Sequence, residues 1–316
     1  MATDTSTPLI VAYYSNDHPI SYWQEAMQVF IPNIKVVDAT SPEAQNAEIL
    51  MVWNPPEGMV SGLKSLKGVI SLAQGVDHVL NGKTFPEHLK FARLIDPYMS
   101  EAMAEWVMLT VLEYHRDVAE YRAAQERHEW IRLRPNMASK TTVAILGLGA
   151  IGSHVAEKLS MMKFNTIGWS RSEKSIPGVT SYHGEDGLNA CLAEADIVVS
   201  ILPLTSETEN MFNKESFAKM KQEAVFINAG RGREVVEDDL INAIDSGHLK
   251  GATLDVMVTE PLPESHPFWD HPKIRVWPHV SAQTNAESAG AQIAKAMQDM
   301  LAGRDPDNSV NIKRGY

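Results

Sequence analysis

Short apolar runs alternate with amphipathic helical stretches along the first third of the chain. This alternation is typical of βαβ units, in which helices cover both faces of a parallel sheet. The strands that it predicts between residues 8 and 96 are "PLIVAYY", "IKVVDA", "AEILMVW", "GVISLAQ" and "FARLID". The pattern therefore predicts a first doubly wound α/β unit.

The same alternation returns after a long apolar segment, "YMSEAMAEWVMLTVLEYHRDVAEYRAAQE", whose spacing predicts one long helix. The strands predicted after it are "TTVAILG", "NTIGWS", "ADIVVSI", "AVFINAG", "GATLDV" and "IRVWPH". From about Asn285 onward the pattern is helical again, and this tail could return to pack on the first unit. We therefore predict two doubly wound units with two chain crossings and a hinge cleft.

Charge and composition narrow the classes of partner. The 316 residues carry a formal net charge of −12, which opposes non-specific binding to nucleic acid or to an anionic membrane surface. No stretch approaches the ~18 apolar residues of a membrane span, and the N-terminus lacks a cationic region leading into an apolar one. The single cysteine, Cys191, cannot form an intrachain disulfide, and its setting indicates helix packing rather than a nucleophile. We expect a cytoplasmic protein whose anionic ligands bind in a local basic pocket.

The second unit opens with a glycine-rich turn. The strand "TTVAILG" runs into Gly147, Gly149 and Gly152 in "GLGAIG", and a helical stretch follows. In this context one glycine makes the tight turn, the next lets the backbone approach a pyrophosphate, and the third lets helix and strand pack closely. The alternative is a glycine-rich turn without a ligand. We predict a dinucleotide site.

The stretch "GWSRSEK" stands where an acid often binds the adenosine ribose of NAD. It offers Ser170 and Arg171 instead, with Ser172 and Lys174 close behind. An acid would repel the 2′-phosphate of NADP, whereas a cation and a hydroxyl would bind it. The alternative is that these side chains only solvate a loop. We predict that NADPH is preferred and that NADH is possible.

Three polar residues near strand ends could share the crevice at the carboxyl edge of the sheet. Arg231 lies between glycines in "NAGRGREV", Glu260 follows a strand in "LDVMVTEPLP", and His279 ends another in "VWPHVS". A protonated imidazole could donate a proton to a 2-oxo acid that accepts a hydride, while the carboxylate orients the imidazole and the guanidinium binds the substrate carboxylate. Taken singly, each has a simpler reading: a surface ion pair, a solvated loop acid and a packed histidine.

A further motif, "HPFWDHP", contains His266 and His271. A metal site there is disfavoured, because no thiol and no dense set of carboxylates accompanies the two histidines. We predict no metal.

The stretches "GLGAIG", "ILPLTSET", "NAGRG", "VVEDDLINAIDSGHLKGATLDV", "TEPLP" and "PHVSAQT" resemble the D-isomer-specific 2-hydroxyacid dehydrogenases over almost the whole chain. Further stretches, "VWNPP", "QGVDHVL", "DPYMSEAM", "RHEW" and the terminal "RGY", are similar to a subgroup that reduces glyoxylate and hydroxypyruvate. The resemblance implies a Rossmann cofactor domain, residues 105–284, inserted in a flavodoxin-like substrate domain formed by residues 1–104 and a returning helix in 285–316. It carries the catalytic roles onto Arg231, Glu260 and His279.

The resemblance also implies the binding residues and the assembly. Substrate contacts are expected from Trp53, Gly75 and Val76, together with Arg231 and His279. Cofactor contacts are expected from Gly147, Leu148, Gly149, Ala150, Ile151, Gly152, Trp169, Ser170, Arg171, Ser172, Lys174, Leu202, Pro203, Asn228, Ala229 and Asp255. Family members are typically dimers joined through the cofactor domains, and Trp130 could reach a neighbour's active site. Met99 and Ser100, in the segment between the domains, receive no role.

Two other functions stay open at this point. Some members of the superfamily are dinucleotide-sensing corepressors, and the fold alone does not exclude such a binding protein. A formate-type dehydrogenase is a nearer alternative, but it is expected to pair its histidine with a glutamine rather than with Glu260. The expected activity is NADPH-dependent reduction of glyoxylate, hydroxypyruvate or a related 2-oxo acid.

Overall fold

The computed structural model describes residues 8–15, 18–80 and 85–312. The "RGY" stretch that contributes to the subgroup resemblance lies outside these residues. The chain divides into two compact units: unit 1 comprises residues 1–99 and 284–316, and unit 2 comprises residues 100–283. The domain boundaries given above remain a prediction.

The twelve strands of the described residues are β1 Leu9–Tyr14, β2 Ile34–Asp38, β3 Ile49–Val52, β4 Gly68–Ser71, β5 Lys90–Ala92, β6 Thr142–Leu146, β7 Asn165–Ser170, β8 Thr180–His183, β9 Ile197–Ser200, β10 Ala224–Asn228, β11 Leu249–Leu254 and β12 Ile274–Val276. The ten α-helices are α1 Ile20–Gln28, α2 Met59–Gly62, α3 Asp77–Leu80, α4 Pro97–His115, α5 Val118–Glu126, α6 Ala150–Met161, α7 Gly184–Glu194, α8 Lys214–Lys219, α9 Glu237–Asp245 and α10 Ala286–Leu301.

Unit 1 contains a five-stranded sheet in the order β2-β1-β3-β4-β5, and every pairing is parallel. This is the flavodoxin-like order. One face packs against α1 and α10, and the opposite face forms a second apolar cluster around Val60, Val69 and Val79. The tail helix therefore returns to unit 1, capped at its start by Asn285, whose side chain accepts hydrogen bonds from two amides of the first turn.

Unit 2 contains a seven-stranded parallel sheet in the order β12-β11-β10-β9-β6-β7-β8. The central strands β6 and β10 are buried at every residue, as expected for strands covered on both faces. One face carries α4 and α6, and the other carries α7, α8 and α9. The chain reverses its direction across the sheet between β6 and β9, which places a ligand crevice beside β6. The prediction of two doubly wound parallel-sheet units is confirmed.

Two local predictions were wrong. The segment predicted as one helix is two, α4 and α5, because Asp117 between them adopts a left-handed backbone with a φ of 50°. The Asp117 carboxylate accepts a hydrogen bond from Lys250 at 3.2 Å, a tertiary contact that helical periodicity does not reveal. The edge strand β8 was not predicted, because its residues "TSYH" are exposed or half-buried and lack an apolar pattern. Among the described residues, no helix is long and apolar enough to cross a membrane.

Candidate active site

The turn between β6 and α6 gives its three glycines different roles. Gly147 has a φ of 106°, a left-handed conformation that favours glycine. A Cβ on Gly152 would lie 1.9 Å from the carbonyl oxygen of Gly147, so only glycine allows this approach of helix and strand. A Cβ on Gly149 would meet no atom within 4 Å. The turn is therefore packed at both ends and open at its middle glycine, as binding of a phosphate at a helix N-terminus requires.

A groove of about 590 Å³ follows the start of α6. The groove is lined by Leu148, Gly149, Ala150, Ser153, His154, Glu157, Lys174, Ser175, Ile176 and Pro177. The backbone of the glycine turn and the Lys174 ammonium thus lie on one open surface within unit 2. Ile151, also a predicted cofactor contact, directs its buried side chain into the apolar cluster on that face of the sheet.

The loop after β7 presents its cations to solvent. Arg171 and Lys174 are exposed, whereas Ser170 is buried. The Ser170 hydroxyl donates to the carbonyl of Ser172 at 2.7 Å, so it shapes the loop in this conformation. The indole N–H of Trp169 donates to the Gly184 carbonyl at 2.7 Å, and its ring packs against the apolar cluster that contains α7. The exposed polar groups of this loop are therefore its cations, and which side chains bind a phosphate stays a prediction.

The loop after β10 is organised by Asn228, which is fully buried. Its amide oxygen accepts from Gly230 N at 2.9 Å, and its amide nitrogen donates to the carbonyl of Arg231 at 3.0 Å. The Arg231 guanidinium itself donates to the Gly230 carbonyl at 2.8 Å. A Cβ on Gly230 would lie 2.8 Å from the carbonyl oxygen of Leu202, so the loops after β9 and β10 pack closely. Asn228 therefore fixes the backbone from which Arg231 extends.

Ala229 continues the strand pairing beyond β10, since its amide donates to the Ser200 carbonyl at 2.9 Å. Leu202 is buried and packs in the cluster with α7, α8 and α9, whereas Pro203 is exposed.

Asp255, at the end of β11, is fully buried and holds the segment that carries His279. Its two carboxylate oxygens accept from the amides of Val280 and Ser281 at 2.9 and 3.0 Å. Its carbonyl accepts from His279 N at 2.8 Å. His279 has a φ of 55°, an uncommon conformation for a residue other than glycine. The Asp255 carboxylate thus supports a strained backbone at a candidate catalytic residue.

His279 and Glu260 form a direct pair. His279 Nδ1 lies 2.8 Å from Glu260 Oε2, and each side chain is 33% exposed. The other oxygen of Glu260 accepts from the amide of Met257 at 2.9 Å. Burial alone would raise the pKa of Glu260, but the hydrogen bond and charge of His279, the Met257 amide and the charge of Arg231 outweigh it and lower that pKa. The carboxylate is therefore kept ionised beside the imidazole.

The Arg231 and Glu260 loops meet at Gly232. A Cβ on Gly232 would lie 1.9 Å from the carbonyl carbon of Met257 and 2.5 Å from Val258 N, so the peptide between these residues packs directly on the glycine. The structure thus brings Glu260 and His279 into contact and places the Arg231 charge close enough to influence Glu260. Their catalytic roles stay a prediction.

The predicted substrate contacts Trp53, Gly75 and Val76 lie in unit 1 at the ends of β3 and β4. The Trp53 ring packs on the ring of His78, with centroids 4.0 Å apart. His78 Nε2 lies 3.2 Å from the hydroxyl of Ser71, and that hydroxyl lies 3.3 Å from the Gly75 carbonyl oxygen. Val76 is buried and precedes α3. These residues therefore form one local cluster around the turn after β4.

Cys191 is buried within α7, and this burial, with a smaller contribution from Glu194, raises the pKa of its thiol to about 12. A thiol with that pKa is inert near neutral pH. Within the described ranges, no group of three or more histidine, cysteine, aspartate or glutamate side chains is arranged to hold a metal ion.

Three supports of the site carry no clear signal in the sequence. The Met257 donor is a backbone amide, and Gly232 matters only because another loop packs on it. Glu237, which accepts from Val258 N at 3.1 Å, is one of three consecutive acids and so looks like an ordinary helix start.

Residues 108–281 match the family described as "D-isomer specific 2-hydroxyacid dehydrogenase, NAD binding domain". A glyoxylate/hydroxypyruvate reductase A of Yersinia enterocolitica is 36% identical over 97% of this chain and 99% of its own, and one of Serratia proteamaculans is 38% identical over 93% and 96%. A D-isomer specific 2-hydroxyacid dehydrogenase of Xanthobacter autotrophicus, solved with NADPH and MES, superposes with a TM-score of 0.92 at 35% identity, covering 98% of this chain and 100% of its own. An NADPH-dependent glyoxylate/hydroxypyruvate reductase of Sinorhizobium meliloti, solved with NADP and sulfate, has a TM-score of 0.90 at 35% identity, with the same coverage.

Proposed function

The chain belongs to the D-isomer specific 2-hydroxyacid dehydrogenases, and we propose that it reduces small 2-oxo acids to D-2-hydroxy acids with NADPH as the hydride donor. Glyoxylate and hydroxypyruvate are the proposed substrates, since relatives over most of the chain are named for both acids. The observation that carries the proposal is the pair of His279 and Glu260, 2.8 Å apart, beside the loop of Arg231.

The pair suits proton donation to a carbonyl oxygen. Glu260 contacts Nδ1 of His279, so we assign the transferred proton to Nε2. The ionised carboxylate favours the protonated imidazole by attraction and fixes the plane of the ring. Arg231 binds the substrate carboxylate with parallel hydrogen bonds and polarises the adjoining carbonyl.

Bound NADPH supplies a hydride to the carbonyl carbon, so that the 2-oxo acid, NADPH and one proton become the 2-hydroxy acid and NADP⁺. The chain's part is to place the carbonyl, to deliver the proton from His279 Nε2 to its oxygen and to recover a proton from solvent. The open backbone at Gly149 fits a pyrophosphate, and exposed Arg171 and Lys174 fit a 2′-phosphate. Two neighbours solved with NADPH or NADP support this choice of cofactor.

We further propose that unit 1 supplies substrate contacts from the turn after β4. Backbone amides at Gly75 and Val76, where α3 begins, are suited to bind a carboxylate, and Trp53 is suited to bound the substrate on one side. This assignment follows from the family.

We also propose a homodimer formed through unit 2. Trp130 is 90% exposed, and Leu133 and Met137, on the same irregular segment, are exposed as well. The segment is attached to α5 by a hydrogen bond from Leu133 N to the hydroxyl of Tyr121 at 3.2 Å. Exposed apolar side chains on a connecting segment favour burial against another chain. Light scattering of the wild type and of Trp130→Ala would test this: a monomeric wild type would contradict it.

The experiment that tests the proposed function is a kinetic panel. Glyoxylate, hydroxypyruvate, pyruvate and phenylpyruvate are each supplied with NADPH and with NADH, and cofactor oxidation is measured. The proposal expects higher kcat/KM with NADPH than with NADH, and turnover of at least one of the two small acids that name the relatives. Absence of oxidation with every acid would contradict an enzyme of this class and would favour a nucleotide-binding protein instead.

A further inference from the structure

The motif "HPFWDHP" contains two histidines that make the same set of hydrogen bonds. Nδ1 of His266 accepts from Phe268 N at 3.3 Å, and Nδ1 of His271 accepts from Lys273 N at 3.2 Å. A ring nitrogen that accepts an amide hydrogen carries no proton, so the proton of each neutral ring lies on Nε2. Each histidine therefore has a donor at Nε2 that faces away from its own turn.

Both donors reach carboxylates of α9. His266 Nε2 lies 3.3 Å from Glu237 Oε2, and His271 Nε2 lies 3.2 Å from Asp245 Oδ1. Glu237 is the first residue of α9 and Asp245 is the last. The segment from residue 257 to 273, here called the tether loop, is thus attached to both ends of one helix.

The first of these attachments lies beside the candidate catalytic pair. Glu237 uses its remaining oxygen, Oε1, to accept from Val258 N at 3.1 Å. The preceding amide, Met257 N, donates to Glu260 Oε1 at 2.9 Å, and Glu260 Oε2 contacts His279. Two consecutive amides of the tether loop are therefore divided between the two glutamates.

The peptide between Met257 and Val258 is held from two sides. Gly232 packs against one side so closely that a Cβ there would overlap the Met257 carbonyl group. On the other side, Glu237 accepts a hydrogen bond from Val258 N, the amide of this peptide. The contact with Gly232 is too closely packed to yield. If the Glu237 acceptor is lost, the peptide can therefore relax only away from Gly232.

We propose that Glu237 and His266 are positioning residues for the proton-donating pair: they fix the peptide that follows Met257, the residue whose own amide holds Glu260 against His279. This inference rests on the proposed function, because it assigns the two residues to the same site. Neither touches the substrate or the cofactor in this account. They act through Val258 N and Met257 N on the carboxylate that orients the imidazole.

The second attachment, between His271 and Asp245, differs from the first in the exposure of its carboxylate. Asp245 has a side chain 66% exposed, whereas that of Glu237 is 21% exposed. An ion pair or hydrogen bond at such an exposed carboxylate is screened by water and contributes little to stability. His271 precedes β12, and its side chain makes hydrogen bonds with Lys273 N and Asp245. It has the same chemistry as His266 without the connection to Glu260.

The expected consequence is a change in the pH dependence of reduction. Among the described contacts, the charged groups that face His279 are Glu260 by direct contact and Arg231 through its influence on Glu260. If Glu260 moves away, the imidazole loses the carboxylate that orients it and favours its protonated form, and proton donation slows. On the alkaline side of the profile kcat/KM should drop roughly three- to tenfold, whereas on the acidic side it should change little.

The test uses the full chain with NADPH and glyoxylate, and measures kcat/KM from about pH 5 to 10. Glu237→Ala and His266→Ala should lower kcat/KM more on the alkaline side of the profile than on the acidic side, with NADPH affinity unchanged. Glu237→Gln should restore part of the wild-type profile, because its amide oxygen can still accept from Val258 N, although its NH2 group then faces the Nε2 donor of His266. The matched controls His271→Ala and Asp245→Asn should keep the wild-type profile.

A Glu237→Ala protein with lower thermal stability but a superimposable pH profile would overturn the inference, as would an equal change of the profile in the His271→Ala control. If Glu237→Ala does not fold, His266→Ala carries the same comparison. A wild type that oxidises no NADPH with any 2-oxo acid would instead contradict the proposed function, so the two failures are distinguishable.

Discussion

Replacing Glu260 by glutamine is the most informative change in the candidate active site. Glutamine keeps the length of the side chain and an oxygen that accepts from Met257 N, but it removes the negative charge that faces His279 Nδ1 at 2.8 Å. With that oxygen on Met257 N, the glutamine NH2 group faces Nδ1 and can donate only to the neutral imidazole. The change therefore removes both the charge attraction and the hydrogen-bond acceptor that favour the protonated ring.

The size of the loss follows from the geometry. Hydrogen bonds to charged groups contribute about 1.5–3 kcal/mol, and the low end applies here because each side chain of the pair is 33% exposed and therefore screened by water. Since about 1.4 kcal/mol corresponds to a factor of ten, kcat/KM should fall about tenfold on the alkaline side of the profile, whereas on the acidic side it should be close to wild type.

The assay is steady-state NADPH oxidation with glyoxylate across pH, together with NADPH affinity by fluorescence. Glu264→Gln is the matched control, because it makes the same change at an exposed glutamate of the tether loop. A Glu260→Gln profile that coincides with the wild type, or one lowered by the same factor at every pH, would refute the reasoning that the carboxylate acts through the charge of His279.

Four further predictions follow from the same geometry. Arg171→Ala should weaken NADPH binding about ten- to a hundredfold and leave NADH almost unchanged, whereas the exposed control Lys214→Ala should change neither; an unaltered NADPH/NADH ratio of kcat/KM would contradict this. His279→Ala should lower kcat by roughly a hundredfold or more at an unchanged NADPH affinity. Asp255→Ala should lower the free energy of unfolding by about 2–4 kcal/mol in urea, because two amides lose their acceptor, and a stability equal to wild type would exclude that role. Because the pKa of Glu260 is lowered, its carboxylate stabilises the folded chain above the ordinary pKa of 4.5, and this stabilisation is lost only as the pH falls through the lower folded pKa. An acidic loss of activity centred above about pH 5 would argue against a lowered pKa of Glu260.

The architecture could be predicted from the sequence wherever the apolar pattern is strong. Strands such as β6 and β10 are continuous apolar runs because they are buried on both faces, and the glycine turn is specified by local backbone needs at Gly147 and Gly152. The pattern missed β8 because an edge strand with exposed residues has no such signal. It also joined α4 and α5, because the Lys250 contact that accompanies the break at Asp117 is distant in sequence.

The site could be predicted only as a set of candidate side chains. Arg231, Glu260 and His279 are visible because each is a polar residue near the end of an apolar strand. The groups that hold these side chains could not be predicted. Met257 contributes only its backbone amide, and nothing in the sequence distinguishes His266 from a weak metal ligand. Ser170 was predicted from its identity to contact the cofactor, and this stays a prediction; the sequence did not indicate that its hydroxyl donates to Ser172 within its own loop.

Proton donation by His279 to a 2-oxo acid is tested by incubating the wild type and His279→Ala with NADPH and hydroxypyruvate, followed by chiral analysis of the glycerate formed. We expect the wild type to produce D-glycerate in a one-to-one ratio with the NADPH consumed, and the variant to form it at a rate lower by roughly a hundredfold or more. Formation of L-glycerate, or NADPH consumption that is equal in the two proteins, would contradict the proposed reaction.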